Sequence, residues 1–337
     1  MEEQKQQSVD DRVIRTVIAK IITDKPVRKT PYQVKGVFMN QFPDEEIVPM
    51  LDGRYREHFL YPRVQVKILN EQIYIIGLHE GVEPVLSLVK NLDILDFGNI
   101  TFQVIDVDLE EQADRFKPLD RLVRYRFITP WVALNQTTGS RYRFLNNAER
   151  VSYLNRLLGQ NIVFLAREMG IDIEDKIYTK LALTSLFPKP VDENNWGAFY
   201  GEFRTNFILP NYIGVGNGIT RGYGTIYGLI NPEVFTFDEE TLTKDVKKEK
   251  PEEIKETDEE LESVTVEEVP PPKKRVFSQR KRTSQRRMFA EEFDVEEQPV
   301  PPRKKRKSPT KKTGKKDEER NEDKFNSPEF HQKQHNV

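Results

Sequence analysis

The chain has 337 residues, with 53 lysines and arginines against 55 aspartates and glutamates, a formal net charge of −2. It contains no cysteine and four histidines, His58, His79, His331 and His335, which excludes disulfides, cysteine–zinc sites and thiol nucleophiles and argues against a His-rich metal site. No apolar run approaches the ~18 residues of a membrane span, and the polar, acidic start MEEQKQQSVDDR is unlike a signal peptide. A cytoplasmic protein that needs neither metal nor cofactor and does not engage a membrane is the expectation.

After a loose end at residues 1–10, Val13–Thr23 alternates and is rich in β-branched residues, which predicts a central strand. Thr30-Pro31 supplies an N-cap followed by a proline at the first helical position, so a short helix should run from Pro31 to about Gln41. Asp44–Tyr61 reads as an irregular loop. Pro62–Leu69 and Gln72–Gly77 are two strands joined at Asn70-Glu71, a hairpin. Val82–Leu92 reads as a helix, with His79 just before it as a cap or surface residue, and Ile100–Val107 as a strand. The order β-α-β-β-α-β over residues 1–110 is the ferredoxin-like motif.

Leu109–Leu119 reads as a charged connector. Arg121–Ile128 alternates basic and apolar side chains and is a strand on which Arg124 and Arg126 share one face. Asn147 should cap a long amphipathic helix, Ala148–Met169, stopped by Gly170. Ile171–Leu186 and Trp196–Ile208 follow as strands, then a glycine-rich stretch, then a strand at Thr225–Ile230. Residues 120–237 thus read as a second ferredoxin-like unit with its second helix replaced or shortened. The fold expected is α+β, two tandem ferredoxin-like domains with a glycine-rich loop near the end of the second.

That stretch, Pro210–Gly228, contains Gly214, Gly216, Gly218, Gly222, Gly224 and Gly228 around Arg221. Glycines permit positive φ and close backbone approach, so several N–H groups could converge on one phosphate while Arg221 adds a forked cation. The alternative is a tight turn entering a strand. It lacks the GK[ST] ending of a P-loop, and the strand that follows rules out a dinucleotide fingerprint.

Residues 1–240 hold more acidic than basic side chains, so nucleic-acid binding there calls for a local basic face. From 238 to 337 the hydrophobic pattern stops. Asp238–Glu268 is acidic, and Lys273–Arg287 and Arg303–Lys316 are basic. Such a segment cannot bury enough apolar area to offset ordering entropy and is expected to be disordered. Its basic runs suit a sequence-independent RNA-binding arm, nuclear-import patches or a solubilising tail.

Several stretches together resemble one subtype of the CRISPR-associated repeat RNA-processing endoribonucleases. They are FITPWVALNQ (Phe127–Gln136), the long helix NAERVSYLNRLLGQNIVFLAREMGI, GAFYGEF (Gly197–Phe203), PNYIGVGNGITRGYGTI and YPRVQVKILNEQIYIIGLHEG (Tyr61–Gly81). The resemblance covers about residues 12–230 and implies the RAMP superfamily of duplicated ferredoxin-like RNA-binding proteins. It implies cleavage of repeat RNA without metal, by attack of the substrate 2′-hydroxyl, leaving a 2′,3′-cyclic phosphate and a 5′-hydroxyl. It also implies the repeat transcript as partner, a possible homodimer and a possible CRISPR effector complex.

Such chemistry needs a base, an acid and a cation for the phosphorane. The subtype carries a Leu-His-Asn-His stretch before the YP box, where this chain has Leu51-Asp52-Gly53-Arg54. The resemblance therefore points to His58 as base or acid, Tyr61 as its partner and Arg54 as stabiliser. RNA phosphates would be held by the glycine stretch with Arg221, by Lys35 and Lys67 if they face the same cleft, and by Arg124 and Arg126. Loss of the histidine pair leaves open a catalytically weak or inactive repeat-RNA-binding subunit, or a general RNA-binding factor on the same scaffold.

Overall fold

The computed structural model describes residues 13–113, 115–174, 176–191, 196–229, 252–255, 257–258 and 260–270. The basic runs of the tail lie outside the described residues. No described helix is long and apolar enough to cross a membrane.

Strand β1 (Arg15–Thr23) is central because its β-branched residues are buried on both faces. Thr30 accepts from the Gln33 amide and Gln33 returns the bond, so a capping box with Pro31 in the first turn starts α1 (Pro31–Gln41). A short helix, α2 (Val48–Leu51), and a 3₁₀ turn over Arg54–Glu57 follow. Strands β2 (Val64–Leu69) and β3 (Gln72–Leu78) form the expected hairpin. Asn70 and Glu71 both take positive φ, 49° and 59°, the geometry of a type I′ turn. His79, at φ 47°, opens a one-turn 3₁₀ segment before α3 (Val82–Lys90). Strands β4 (Ile94–Asp96) and β5 (Thr101–Ala113) complete an antiparallel sheet of order β2-β3-β1-β5-β4.

The next strand is β6 (Lys117–Phe127). The charged connector expected at 109–119 is therefore mostly strand: β5 pairs with β1 as far as Ala113↔Arg15, and β6 begins at Lys117. Its charged side chains point outward while the backbone pairs, so charge there marks an exposed face, not a loop. After β7 (Trp131–Leu134) and α4 (Gln136–Tyr142) comes the long helix α5 (Asn147–Glu168). Its cap is Asn146, one residue earlier than expected, with Glu149 closing the capping box, and Gly170 ends it at φ 68°.

Strands β8 (Ile177–Leu183), β9 (Lys189–Val191), β10 (Trp196–Phe199), β11 (Gly201–Ile208) and β12 (Ile226–Gly228) follow. The run expected as one strand over Trp196–Ile208 is two, β10 in a small sheet with β7 and β9, and β11 in the main sheet. Gly201, φ 152°, lies where the chain crosses between them. The main sheet runs β12-β6-β11-β8. With α5 as its helix, that order repeats β5-β1-β3-β2 of the first half, and the glycine stretch occupies the place of the second helix.

The disorder expected from residue 238 is corrected for part of the tail. Strands β13 (Glu252–Glu253) and β14 (Glu262–Val264) pair with β6 and β8. Val264 and Val269 are buried against the second half, so even this acidic stretch places apolar residues where they are covered.

One core cluster fills the first half, with Val17, Ile21, Phe38, Ile75, Val85 and Phe102 between the sheet and α1 and α3. A second, larger one spans both halves. Ile18, Ile76 and Tyr61 of the first pack in one cluster with Phe127, Trp131, Leu158 and Phe203 of the second.

Candidate functional site

The glycine segment after β11 is clamped onto the first half by Tyr61, just before β2, and by side chains of β2 and α1. The Tyr61 hydroxyl donates to the Gly214 carbonyl at 2.8 Å, and the Gly214 amide donates to Gln65 Oε1 at 2.8 Å. Lys67 Nζ donates to the Ile219 carbonyl at 3.0 Å, and Lys35 Nζ to the Thr220 carbonyl at 2.5 Å. Lys67 is fully buried and Lys35 nearly so.

The two lysines were expected to meet RNA phosphate. The structure corrects this: their ammonium groups hold the segment's own carbonyls, which a 3₁₀ turn at Ile219–Arg221 aims at them. A buried lysine must find acceptors, and the carbonyls of this short turn provide them.

From the second half, Asn217 donates its amide and its Nδ2 to the Val132 carbonyl, each at 3.0 Å. The Gly224 amide donates to the Pro130 carbonyl at 2.8 Å, and the Gly222 amide to Ile219. The amides of Gly214, Gly222 and Gly224 are thus spent inside the protein and are not an anion nest. A Cβ on Gly224 would lie 1.9 Å from the Val215 carbonyl, and one on Gly216 2.6 Å from Trp131 Nε1. The close-turn reading accounts for these glycines. Gly218 and Gly222 flank the 3₁₀ turn at φ 72° and 93°, which favours glycine. Arg221 is half-buried, with its guanidinium over the Trp196 ring, 5.1 Å from the centroid.

Tyr61 is corrected as a proton-transfer partner. Burial pushes its hydroxyl well above the ordinary tyrosine pKa, against weaker opposing effects of Gln65 and Arg63. It lies in the shared core, whereas His58 is exposed at the end of the 3₁₀ turn, its ring edge-on to Tyr55 at 6.0 Å. The turn from surface to core is fixed by Glu168, whose carboxylate accepts from the amides of Leu60 and Tyr61. Arg54 is exposed and bonds Asp52 through Nε at 2.6 Å. His58 and Arg54 therefore share one exposed loop, and Tyr61 does not belong to it.

Arg124 and Arg126 do share one face of β6, turned away from α5. Both bond Glu202 of β11, Arg124 Nε at 2.7 Å and Arg126 Nη2 at 2.6 Å. Burial raises the Glu202 carboxyl, but the hydrogen bonds and charges of the two arginines outweigh it, and its pKa is lowered overall. Lys180 and Arg204, not anticipated from the sequence, lie on the same face, because Arg204 is in register with Arg124 and with Lys180. Period-two alternation in GEFRTNF and IYTKLAL was the available signal. Beside them, Tyr212 packs on Tyr74 at 5.0 Å and on Tyr227 at 5.5 Å, and Tyr227 is in register with Arg126.

A mixed α+β architecture of antiparallel sheets, with a glycine segment clasped between the two halves, is the fold of the RAMP-type Cas6 proteins. Residues 12–115 match the Cas6b N-terminal domain and residues 117–229 the Cas6b C-terminal domain. The chain belongs to the Cas6b family of CRISPR repeat RNA-processing endoribonucleases. A crystal structure of Cas6b is 28% identical, with a TM-score of 0.55, over 64% of this chain and 99% of that one. A crystal structure of the CRISPR RNA processing endoribonuclease Cas6b is 25% identical, with a TM-score of 0.50 and the same coverage. An uncharacterized protein of Methanocaldococcus jannaschii is 26% identical over 140 residues, 42% of this chain and 95% of that protein.

Proposed function

We propose that the chain binds CRISPR repeat RNA between two ferredoxin-like halves and cuts it without metal. The 2′-hydroxyl loses its proton and attacks the adjacent phosphorus. The 5′-oxygen leaves with a proton, and a 2′,3′-cyclic phosphate and a 5′-hydroxyl remain. His58, exposed on the loop before β2, carries the proton transfer, and Arg54 on the same loop stabilises the phosphorane. Arg124, Arg126 and Arg221 position phosphates, and Tyr227 with Tyr212 offers bases an aromatic surface. The observation that carries this reading is the family match across residues 12–229, joined to an exposed histidine and arginine on the loop before β2.

A second reading, a slow or inactive repeat-RNA binder within an effector complex or as a homodimer, draws support from the burial of Tyr61, which leaves His58 without that partner. Incubating a repeat transcript in EDTA and mapping its ends separates the two. Robust cutting to a cyclic phosphate, abolished in His58→Ala with RNA affinity kept, supports the nuclease. Equal, low rates in wild type and variant support the binder.

A further inference from the structure

The family match stops at residue 229, yet the chain returns to the second half at residues 252–255, 257–258 and 260–270. It first pairs with β6, at Glu252↔Leu122 and Glu253↔Arg121. It ends on the opposite side of the sheet, where β14 pairs with β8. Between those points its carboxylates meet the basic face. Glu252 bonds Arg204 Nε at 3.1 Å, and Lys180 Nζ bonds Asp258 at 2.7 Å and Glu260 at 3.1 Å. Lys180 and Arg204 keep only 19% and 31% of their side-chain surface exposed.

Downstream the segment is fastened apart from these charges. Val264 is fully buried and packs over Gly159 of α5, where an added Cβ would lie 2.7 Å away. Arg167 reaches the carbonyls of Val266 and Val269, and Arg156 bonds Glu268. The apolar anchor can therefore persist while the acidic part lifts.

We propose that Glu252, Asp258 and Glu260 act as a built-in competitor for RNA. Their carboxylates occupy, on Lys180 and Arg204, positions that RNA phosphates take when the strap is displaced. The surface so uncovered continues the row that holds Arg124 and Arg126, and fits a single-stranded polyanion lying across the strands. The asymmetry of charges supports this over a purely structural staple: three carboxylates meet two cations on this face, while apolar contacts are kept for residues 264–269. This inference rests on the reading that the second half binds RNA.

The test uses the full chain and a fluorescein-labelled single-stranded RNA of mixed sequence, followed by anisotropy over a salt series. Glu252→Gln, Asp258→Asn and Glu260→Gln together should tighten binding about tenfold at low salt and steepen the salt dependence, because the freed cations then release counterions. A control with Asp44→Asn, Glu46→Gln and Asp93→Asn, an equal charge change on the first half, should not. Adding Lys180→Gln and Arg204→Gln to the strap variant should cancel the gain. RNA should also remove hydrogen-exchange protection from the Glu252 and Glu253 amides while Val264 stays protected.

A strap variant no tighter than the control, or full protection of Glu252 and Glu253 under saturating RNA, overturns the competitor. If Lys180→Gln and Arg204→Gln still weaken the wild-type complex, RNA binding by this face survives that failure. If no form of the chain binds RNA, the functional reading falls and the competitor with it.

Discussion

Lys67 and Ile219 lie on opposite halves of the chain, and the Lys67 ammonium donates to the Ile219 carbonyl at 3.0 Å with no solvent exposure of the lysine. A cation so placed holds a turn in shape and cannot reach a ligand. Lys67→Met should therefore remove one of the two hydrogen bonds to the Ile219 carbonyl, leaving that from the Gly222 amide, and cost about 1 kcal/mol of stability. Urea denaturation measures it; an unchanged midpoint with weakened RNA binding would return Lys67 to the RNA surface.

Tyr61 and Gly214 form a second tie of this kind. Tyr61→Phe should cost about 1 kcal/mol through the lost bond to the Gly214 carbonyl. The pH profile of repeat RNA cutting should keep its shape, because a buried hydroxyl with a raised pKa does not exchange protons near neutrality. A missing limb in the variant profile would make Tyr61 a proton donor after all.

Gly224 combines φ 64° with a backbone neighbour that no side chain could tolerate. Gly224→Ala should destabilise by about 3 kcal/mol or more, since the clash is with main chain and neither partner can swing away. Thermal unfolding and limited proteolysis would register it. Gly98, also at positive φ but with open space around it, should tolerate alanine better.

Glu202 makes stability depend on acidity in a defined sense. Its folded pKa lies below the ordinary 4.5, so the folded state favours its ionised form. The stabilisation is present above the unfolded pKa and is lost as the pH falls through the lower folded value. Wild type should exceed Glu202→Gln in stability at neutral pH, and the gap should close on acidification below about pH 4.5. A gap that stays constant would mean that Glu202 acts through packing alone.

The elements most legible in sequence were those written in local chemistry. Thr30-Pro31-x-Gln33 specifies its own capping box, and Asn70-Glu71 its own turn, so α1 and the β2–β3 hairpin stand where the residues put them. The site was less legible because direction is a tertiary property. Nothing in the letters of Lys35 or Lys67 says that carbonyls from residues 219 and 220 will arrive to be bonded. The amides of Gly214 and Gly224 likewise look available until Gln65 and Pro130 are brought to them by the other strands. Glu252 and Asp258 read as solvated charge because Arg204 and Lys180 lie far away along the chain.

The cluster that joins Ile18 and Ile76 to Phe127 and Leu158 has a bearing on how the polypeptide is made. A fragment ending near Arg115 would emerge from the ribosome with an oily sheet surface facing water, and nothing downstream to cap it. Expressed as separate pieces, the two parts should precipitate or cling to chaperones, and co-expression should rescue both. Maturation of this protein thus depends on both parts being present together, whether on one chain or two.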